Sequence, residues 1–128
     1  GQNEDGDVAF CEYYDSSNIE WGDCTPMSLP RAGAGAAVIS NNRLYVIGGG
    51  LQGEVPYAEV YSVDTDSWKQ FDMPMVDEGS TWRQLGVANV ETRIFAVGGW
   101  LSGAVQADNY IYEPFTPRTF LPTVGGDN

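Results

Sequence analysis

The chain has 128 residues, enough for about one domain with a core of its own. Its formal net charge of -12, from 6 Lys and Arg against 18 Asp and Glu, makes a phosphate backbone or an anionic lipid surface an unfavourable partner. With no histidine it cannot build a Ser-His-Asp triad, a Cys-His pair or an imidazole metal site from its own residues, and no apolar run approaches the ~18 residues of a membrane span.

Gly1 stands where a methionine would start a chain, so removal of an N-terminal segment is expected. Residues 1–8, which begin GQNEDGD, read as a solvated segment without core-forming side chains. Residues 9–25 carry two strands, 9–14 and 20–25. With the turn centred between Ser17 and Asn18, residues whose numbers sum to 35 face each other, which sets Tyr14 opposite Trp21 and Cys11 opposite Cys24. Directly opposed cysteines at a non-hydrogen-bonded site lie within disulfide reach; two free buried thiols are the alternative. The spacing is not that of a C-x-x-C redox motif. A disulfide implies an oxidising compartment, and together with the acidity and the absent methionine it points to a secreted or cell-surface protein.

Residues 26–75 give strands at 34–40, 43–48, 58–63 and 67–72, and residues 76–123 give strands at 84–90, 93–98, 108–113 and 118–122, ahead of a tail at 124–128. The two segments repeat one another. RLYVIGGG at 43–50 returns as RIFAVGGW at 93–100, so that Leu44 and Ile94, Tyr45 and Phe95, and the pairs Gly48-Gly49 and Gly98-Gly99 all stand 50 residues apart. CEYYDSSNIEW and AEVYSVDTDSW align Tyr14 with Tyr61 and Trp21 with Trp68 at an offset of 47, and a looser copy sets Tyr112 before Phe120. Periods of about 45–50 residues are those of propeller blades, four-stranded units that cannot bury both faces alone. The glycine pairs mark strand ends where the backbone turns sharply or meets a neighbour closely. With no helix pattern and no Lys after them, they do not read as a phosphate loop.

These features resemble the Kelch repeat family: the small-residue strand RAGAGAAVI after LP, LYVIGG with its double glycine, the VY strand, and the Tyr-to-Trp spacing into the next strand. The resemblance covers residues 10 to 122. It departs where WRQLGVANV replaces the small-residue strand and Phe120 replaces the Trp. The fold expected is all-β, made of Kelch-type β-propeller blades, each a four-stranded antiparallel sheet. Residues 9–25 form half a blade, 26–75 a whole one, and 76–123 another whose C-terminal strands read as edge or exchanged strands, since Pro114 and Pro117 suit an edge. About two and a half blades leave the ring incomplete, because closure takes about four to eight. Further blades of a longer propeller, or copies of the same chain, would complete it.

Loops on one face are long, at GGLQGEVPYAE, PMVDEGSTWRQ and GGWLSGAVQAD, while the opposite turns at 40–42, 64–66 and 90–92 are short. In Kelch proteins the long-loop face commonly binds the partner. The resemblance therefore makes Leu51, Gln52, Tyr57, Trp82, Arg83, Trp100 and Leu101, with Arg31 nearby, the expected contact residues; aromatics and Arg on loops suit hot spots. The competing reading has Trp82 and Trp100 capping the core between blades. Carboxylate pairs, Asp64 with Asp66 and Asp77 with Glu78, are candidate acids or cation ligands, but Asp64 and Asp66 sit in a tight turn that favours Asp. No catalytic residue, cofactor or metal is expected. The function expected is a non-catalytic protein-interaction or assembly module with a protein partner, neither nucleic acid nor membrane. A piece of a secreted carbohydrate-active propeller, its active groups elsewhere, is the second reading.

Overall fold

The structure, a computed structural model, describes residues 1–39, 42–74, 80–114 and 121–122. These residues form strands and no helix. A small hairpin, β1 (Gln2–Asn3) with β2 (Gly6–Asp7), precedes a larger one, β3 (Cys11–Asp15) with β4 (Glu20–Cys24). Then β5 (Ala34–Ile39), β6 (Arg43–Gly48), β7 (Tyr57–Ser62) and β8 (Ser67–Asp72) make a four-stranded antiparallel sheet in chain order. The connection carries β9 (Trp82–Arg83). The next sheet takes β10 (Gly86–Val90) and β11 (Arg93–Val97), is interrupted by the loop hairpin β12 (Trp100–Leu101) and β13 (Ala104–Val105), and resumes with β14 (Asn109–Tyr112) and β15 (Leu121–Pro122). Its order, β10-β11-β14-β15, repeats that of the central sheet, while β13-β12-β9 form a small sheet of their own.

The repeat is therefore structural as well as sequential. Strands rich in Val, Ile and aromatics suit a pleated surface covered by neighbours, and alternation assigns each side chain to one face. Ala37, Ile39, Tyr45, Ile47 and Ala58 of the central sheet pack against Trp82, Leu85, Ile94, Ala96 and Tyr110 to form the core between the two sheets. Ile39 and Ile47 are wholly enclosed there, each worth about 1.5–3 kcal/mol of burial. Phe71 stacks on Tyr112 at 4.8 Å and meets Tyr45 edge-on at 5.9 Å. Close to the inner strands the sheets approach at backbone distance: a Cβ on Gly35 would run into the Val87 side chain.

The same positions on the far face of the second sheet are open. Val90 and Val97, the counterparts of Ile39 and Ile47 by register, are 62% and 45% exposed where those isoleucines are 1% and 0% exposed.

In the first hairpin the register runs Cys11↔Cys24 and Tyr14↔Trp21, as the sequence implies, and the cysteines are joined in a disulfide with Cα atoms 5.0 Å apart. Its Tyr14–Trp21 ring pair, at 5.4 Å, repeats the Tyr61–Trp68 pair, at 5.0 Å. The hairpin is fixed to the central sheet at the rim. The Trp68 indole N–H donates to the Thr25 carbonyl (2.6 Å), while Asp66 Oδ1 accepts from the Thr25 N–H (2.8 Å) and the Tyr61 hydroxyl (2.7 Å).

Two segments carry detail beyond the sequence reading. Residues 1–8, expected as a solvated segment, are mostly exposed and form a loop hairpin. Val8 N–H donates to the Gly1 carbonyl at 2.9 Å, as Gln106 N–H donates to the Gly99 carbonyl at 2.8 Å, so residues 1–8 repeat the β12–β13 loop of the last sheet. Polar side chains hid this, because the hairpin is held by backbone bonds and by Asp7 rather than by apolar burial. The strand expected from residue 84 starts at Gly86, because Gln84 has a positive φ of 55° and gives its N–H to the Gly33 carbonyl instead of a ladder. Leu121–Pro122 pair with β14 as an edge strand of their own sheet, whereas 118–120, including Phe120, lie outside the described residues.

Candidate interaction face

The connections and second-to-third-strand loops gather at one end of the sheets and are stitched to each other by backbone bonds. Gly49 N–H donates to the Trp82 carbonyl (2.7 Å), Gly50 N–H to Ala32 (2.8 Å), and Ser102 N–H to Thr81 (3.0 Å). The Asp7 carboxylate receives the N–H groups of Gln52 (3.0 Å) and Gly53 (3.3 Å), which ties the first loop hairpin to the second loop. Positive φ values at Gly48 (74°) and Gly98 (67°) turn the chain out of β6 and β11 and leave both carbonyls to accept from a side chain of the preceding connection.

Those side chains are Arg31 and Trp82. Arg31 Nη1 donates to the Gly48 carbonyl at 3.1 Å, and Trp82 Nε1 donates to the Gly98 carbonyl at 2.8 Å. The two residues thus hold the same place in successive repeats. Both are buried, at 1% and 3% exposure, so neither belongs to an exposed contact surface as the sequence reading had it. The reason is geometric: each lies where a connection enters the seam between sheets, and each plugs the end of that seam. Trp82 also meets Tyr110 edge-on at 5.7 Å, which makes it a cap on the core.

Arg31 brings a charge into this seam and is matched there. Its Nη2 meets Glu59 Oε2 at 2.6 Å with both side chains fully enclosed, Nη1 reaches the Tyr57 carbonyl at 3.0 Å, and Glu59 Oε1 takes the Ser28 N–H at 2.8 Å. Burial pulls the Arg31 pKa down from its ordinary value, while the adjacent Glu59 carboxylate pushes it back up. The Arg31 Nε–H is buried without an acceptor among the described residues.

The remaining expected residues lie on the loops themselves. Trp100 is 41% exposed and stands in β12 across from Arg83 of β9 and Val105 of β13. Arg83 is half-buried and donates to the Leu51 carbonyl at 3.2 Å, linking the loops of the two sheets. Leu101 is half-buried against the core, Leu51 is half-buried, Gln52 is exposed, and the Tyr57 hydroxyl pairs with Ser28 Oγ at 2.9 Å. Sequence reasoning missed Val105, Asp7 and the first loop hairpin. An alignment of residues 1–8 with 99–106 would have placed them, but the glycine is all that survives of the repeat there.

Asp66 is a rim clamp. The Thr25 N–H, then the Tyr61 hydroxyl, hold its carboxyl below the ordinary range, and the same hydrogen bond pushes Tyr61 up to about 12. Asp77 and Glu78 lie outside the described residues. Among the described residues no group of three or more His, Cys, Asp or Glu side chains converges on a point, and no helix is long and apolar enough to cross a membrane.

Residues 30–71, which hold the Arg31 plug, all of β5 to β7 and most of β8, match the family model of the Kelch motif. This segment is similar to a Kelch repeat. The sheet formed by β10, β11, β14 and β15 copies the strand order of the Kelch unit, and β3 with β4 repeat its outer half. No curated protein matches the chain. Kelch repeats build β-propeller modules that generally serve protein–protein interaction rather than catalysis.

Proposed function

We propose that this chain is a non-catalytic protein-interaction module of the extracellular space, binding a protein partner through the long-loop face and completed by further blades or by copies of itself. The observation that carries the reading is the loop sheet β13-β12-β9. It sets the exposed Trp100 between Arg83 and Val105 on a backbone fixed to both four-stranded sheets. A rigid aromatic beside a cation and an aliphatic group is the composition of a binding hot spot, and the loops beneath it are held by hydrogen bonds rather than free to reorganise. Gln52, Leu51, Tyr57 and Leu101 extend this surface, and Arg31 and Trp82 support it from below. The Cys11–Cys24 disulfide supports an oxidising location. The open Val90 and Val97 face supports a neighbour on that side.

The test is capture of a partner from extracellular fluid with the intact chain, followed by Trp100→Ala and Arg83→Ala. Both variants should weaken capture at least about tenfold, a loss of ~1.4 kcal/mol or more. The Trp100→Ala thermal midpoint should stay near that of the parent. Unchanged affinity in both variants would remove the long-loop face from consideration.

A further inference from the structure

Arg43 opens β6 at the short-turn end of the central sheet, away from the loop face that Gly48 borders at the other end of the strand. By register it lies across from Ser62 of β7, which lies across from Ser67 of β8, so one row of the sheet reads Arg, Ser, Ser. Val60 and Lys69, each two residues along its strand from that row, share its face. Together with Thr65 of the turn, these side chains line a recess of about 290 Å³. The second sheet has the same arginine and a different neighbour. Arg93 stands 50 residues after Arg43, and its Nε meets Glu113 Oε1 at 2.8 Å, Glu113 following Tyr112 as Ser62 follows Tyr61. Serine in place of that glutamate leaves Arg43 uncompensated: among the described residues neither Arg43 nor Lys69 has an ion-pair partner.

We infer that this recess binds a single sulfate or phosphate monoester carried on a sugar-sized polar group. The Arg43 guanidinium presents a planar fork to two oxygens of such an anion, and the Lys69 ammonium adds a point charge. Hydroxyls complete the donor set. The Thr65 and Ser67 hydroxyls bond each other at 2.7 Å, which commits one of their protons and leaves the other to donate, along with that of Ser62. A tetrahedral ester spreads three terminal oxygens over these donors, where a carboxylate offers two. Size and charge narrow the ligand further. At about 290 Å³ the recess lies near the lower end of ligand clefts, ~300–1,000 Å³, which suits a group no larger than a monosaccharide. The chain carries a net charge of -12, so a polyanion attracted by Arg43 and Lys69 is repelled by the rest of the surface, whereas one ester charge is matched locally. The site lies at the end of the sheet opposite the long-loop face and does not depend on the reading proposed for that face.

The probes are sodium sulfate, sodium phosphate and sodium acetate, titrated into the intact, isotope-labelled chain at constant ionic strength, since any salt screens exposed charges. Amide chemical shifts are the readout. Sulfate and phosphate up to ~50 mM should move the Ser62, Thr65, Ser67 and Lys69 signals along saturable curves, and acetate should not. The sulfate and phosphate esters of one monosaccharide, run in parallel, should bind more tightly than the bare ions, and the tighter of the two identifies the source of the anion; the unsubstituted sugar should leave the spectrum unchanged. Arg43→Gln and Lys69→Gln should each weaken binding at least about fivefold. Ser62→Glu gives Arg43 the partner that Arg93 already has and should abolish binding with the thermal midpoint retained. Trp100→Ala, on the loop face, should leave these titrations unaltered, so failure there and failure here are distinguishable. Shifts that grow without saturating or spread evenly over the cationic positions, as for an adventitious ion only, would overturn the inference. So would an equal response to acetate, esters that bind no more tightly than the bare ions, or undiminished binding in Ser62→Glu and Arg43→Gln.

Discussion

Replacing Arg31 by methionine keeps the length of the side chain and removes its charge and its hydrogen bonds. In the folded protein that substitution strands Glu59, a carboxylate at 0% exposure whose remaining partner is the Ser28 N–H, and it also removes the donor to the Gly48 and Tyr57 carbonyls. Losing one partner of a buried ion pair costs about 3–5 kcal/mol, and a carbonyl left without a donor adds to it, though not additively. Glu59→Leu alone should cost a similar amount by stranding the guanidinium. The double variant Arg31→Met/Glu59→Leu removes both charges and should be less damaging than the sum of the two, with a coupling of about 2–3 kcal/mol. Urea unfolding followed by tryptophan fluorescence measures all four corners of the cycle. The reasoning fails if Arg31→Met shifts stability by less than about 1 kcal/mol while abolishing capture of a partner, because Arg31 would then be a contact residue and not the plug of a seam.

Ile47→Ala should cost about 2–5 kcal/mol and Val97→Ala less than about 1 kcal/mol, since the first empties a closed core and the second trims a side chain already half in solvent; parallel urea titrations check both. Changing Cys11 and Cys24 to Ser should cost about 3 kcal/mol for a link of sequence separation 13, and alkylation of the unreduced parent should label no thiol by intact mass. The Asp66 clamp gives a pH dependence of fixed sign. Its carboxyl is lowered by the Thr25 and Tyr61 bonds, so its contribution is full above the ordinary carboxylate range and is lost as pH falls below that range through the lowered folded-state value; Tyr61, raised to about 12, contributes fully below its unfolded value and loses this as pH climbs through about 12. Asp66→Asn should flatten the thermal midpoint at both ends, and an unchanged profile would show that the clamp does not hold in solution.

The strands were legible because alternation and the 50-residue echo act on side chains that the fold buries, as Tyr45 and Ile47 show, while the 47-residue echo marks the ring pairs Tyr14–Trp21 and Tyr61–Trp68. The Cys11–Cys24 pairing followed from a turn whose centre the sequence marks. Burial of loop residues was not legible in the same way. An Arg or Trp in a connection reads as a surface anchor, and only the paired bonds to Gly48 and Gly98 show Arg31 and Trp82 to be equivalent plugs. The first loop hairpin was lost for the opposite reason: its bonds are main-chain bonds, which leave no trace in polarity or periodicity.

The disulfide closes the first hairpin upon itself and does not reach the neighbouring sheet, to which that hairpin is fastened at the rim through Thr25. Mechanical attachment and internal integrity are therefore separate properties of the same element. A pull on the N-terminal end loads the Asp7 bonds to Gln52 and Gly53 and the Arg31 N–H bond to the Val8 carbonyl as well as the Thr25 contacts to Trp68 and Asp66. A reductant opens the Cys11–Cys24 link and leaves these hydrogen bonds untouched, so force and redox potential address two different joints of one structure.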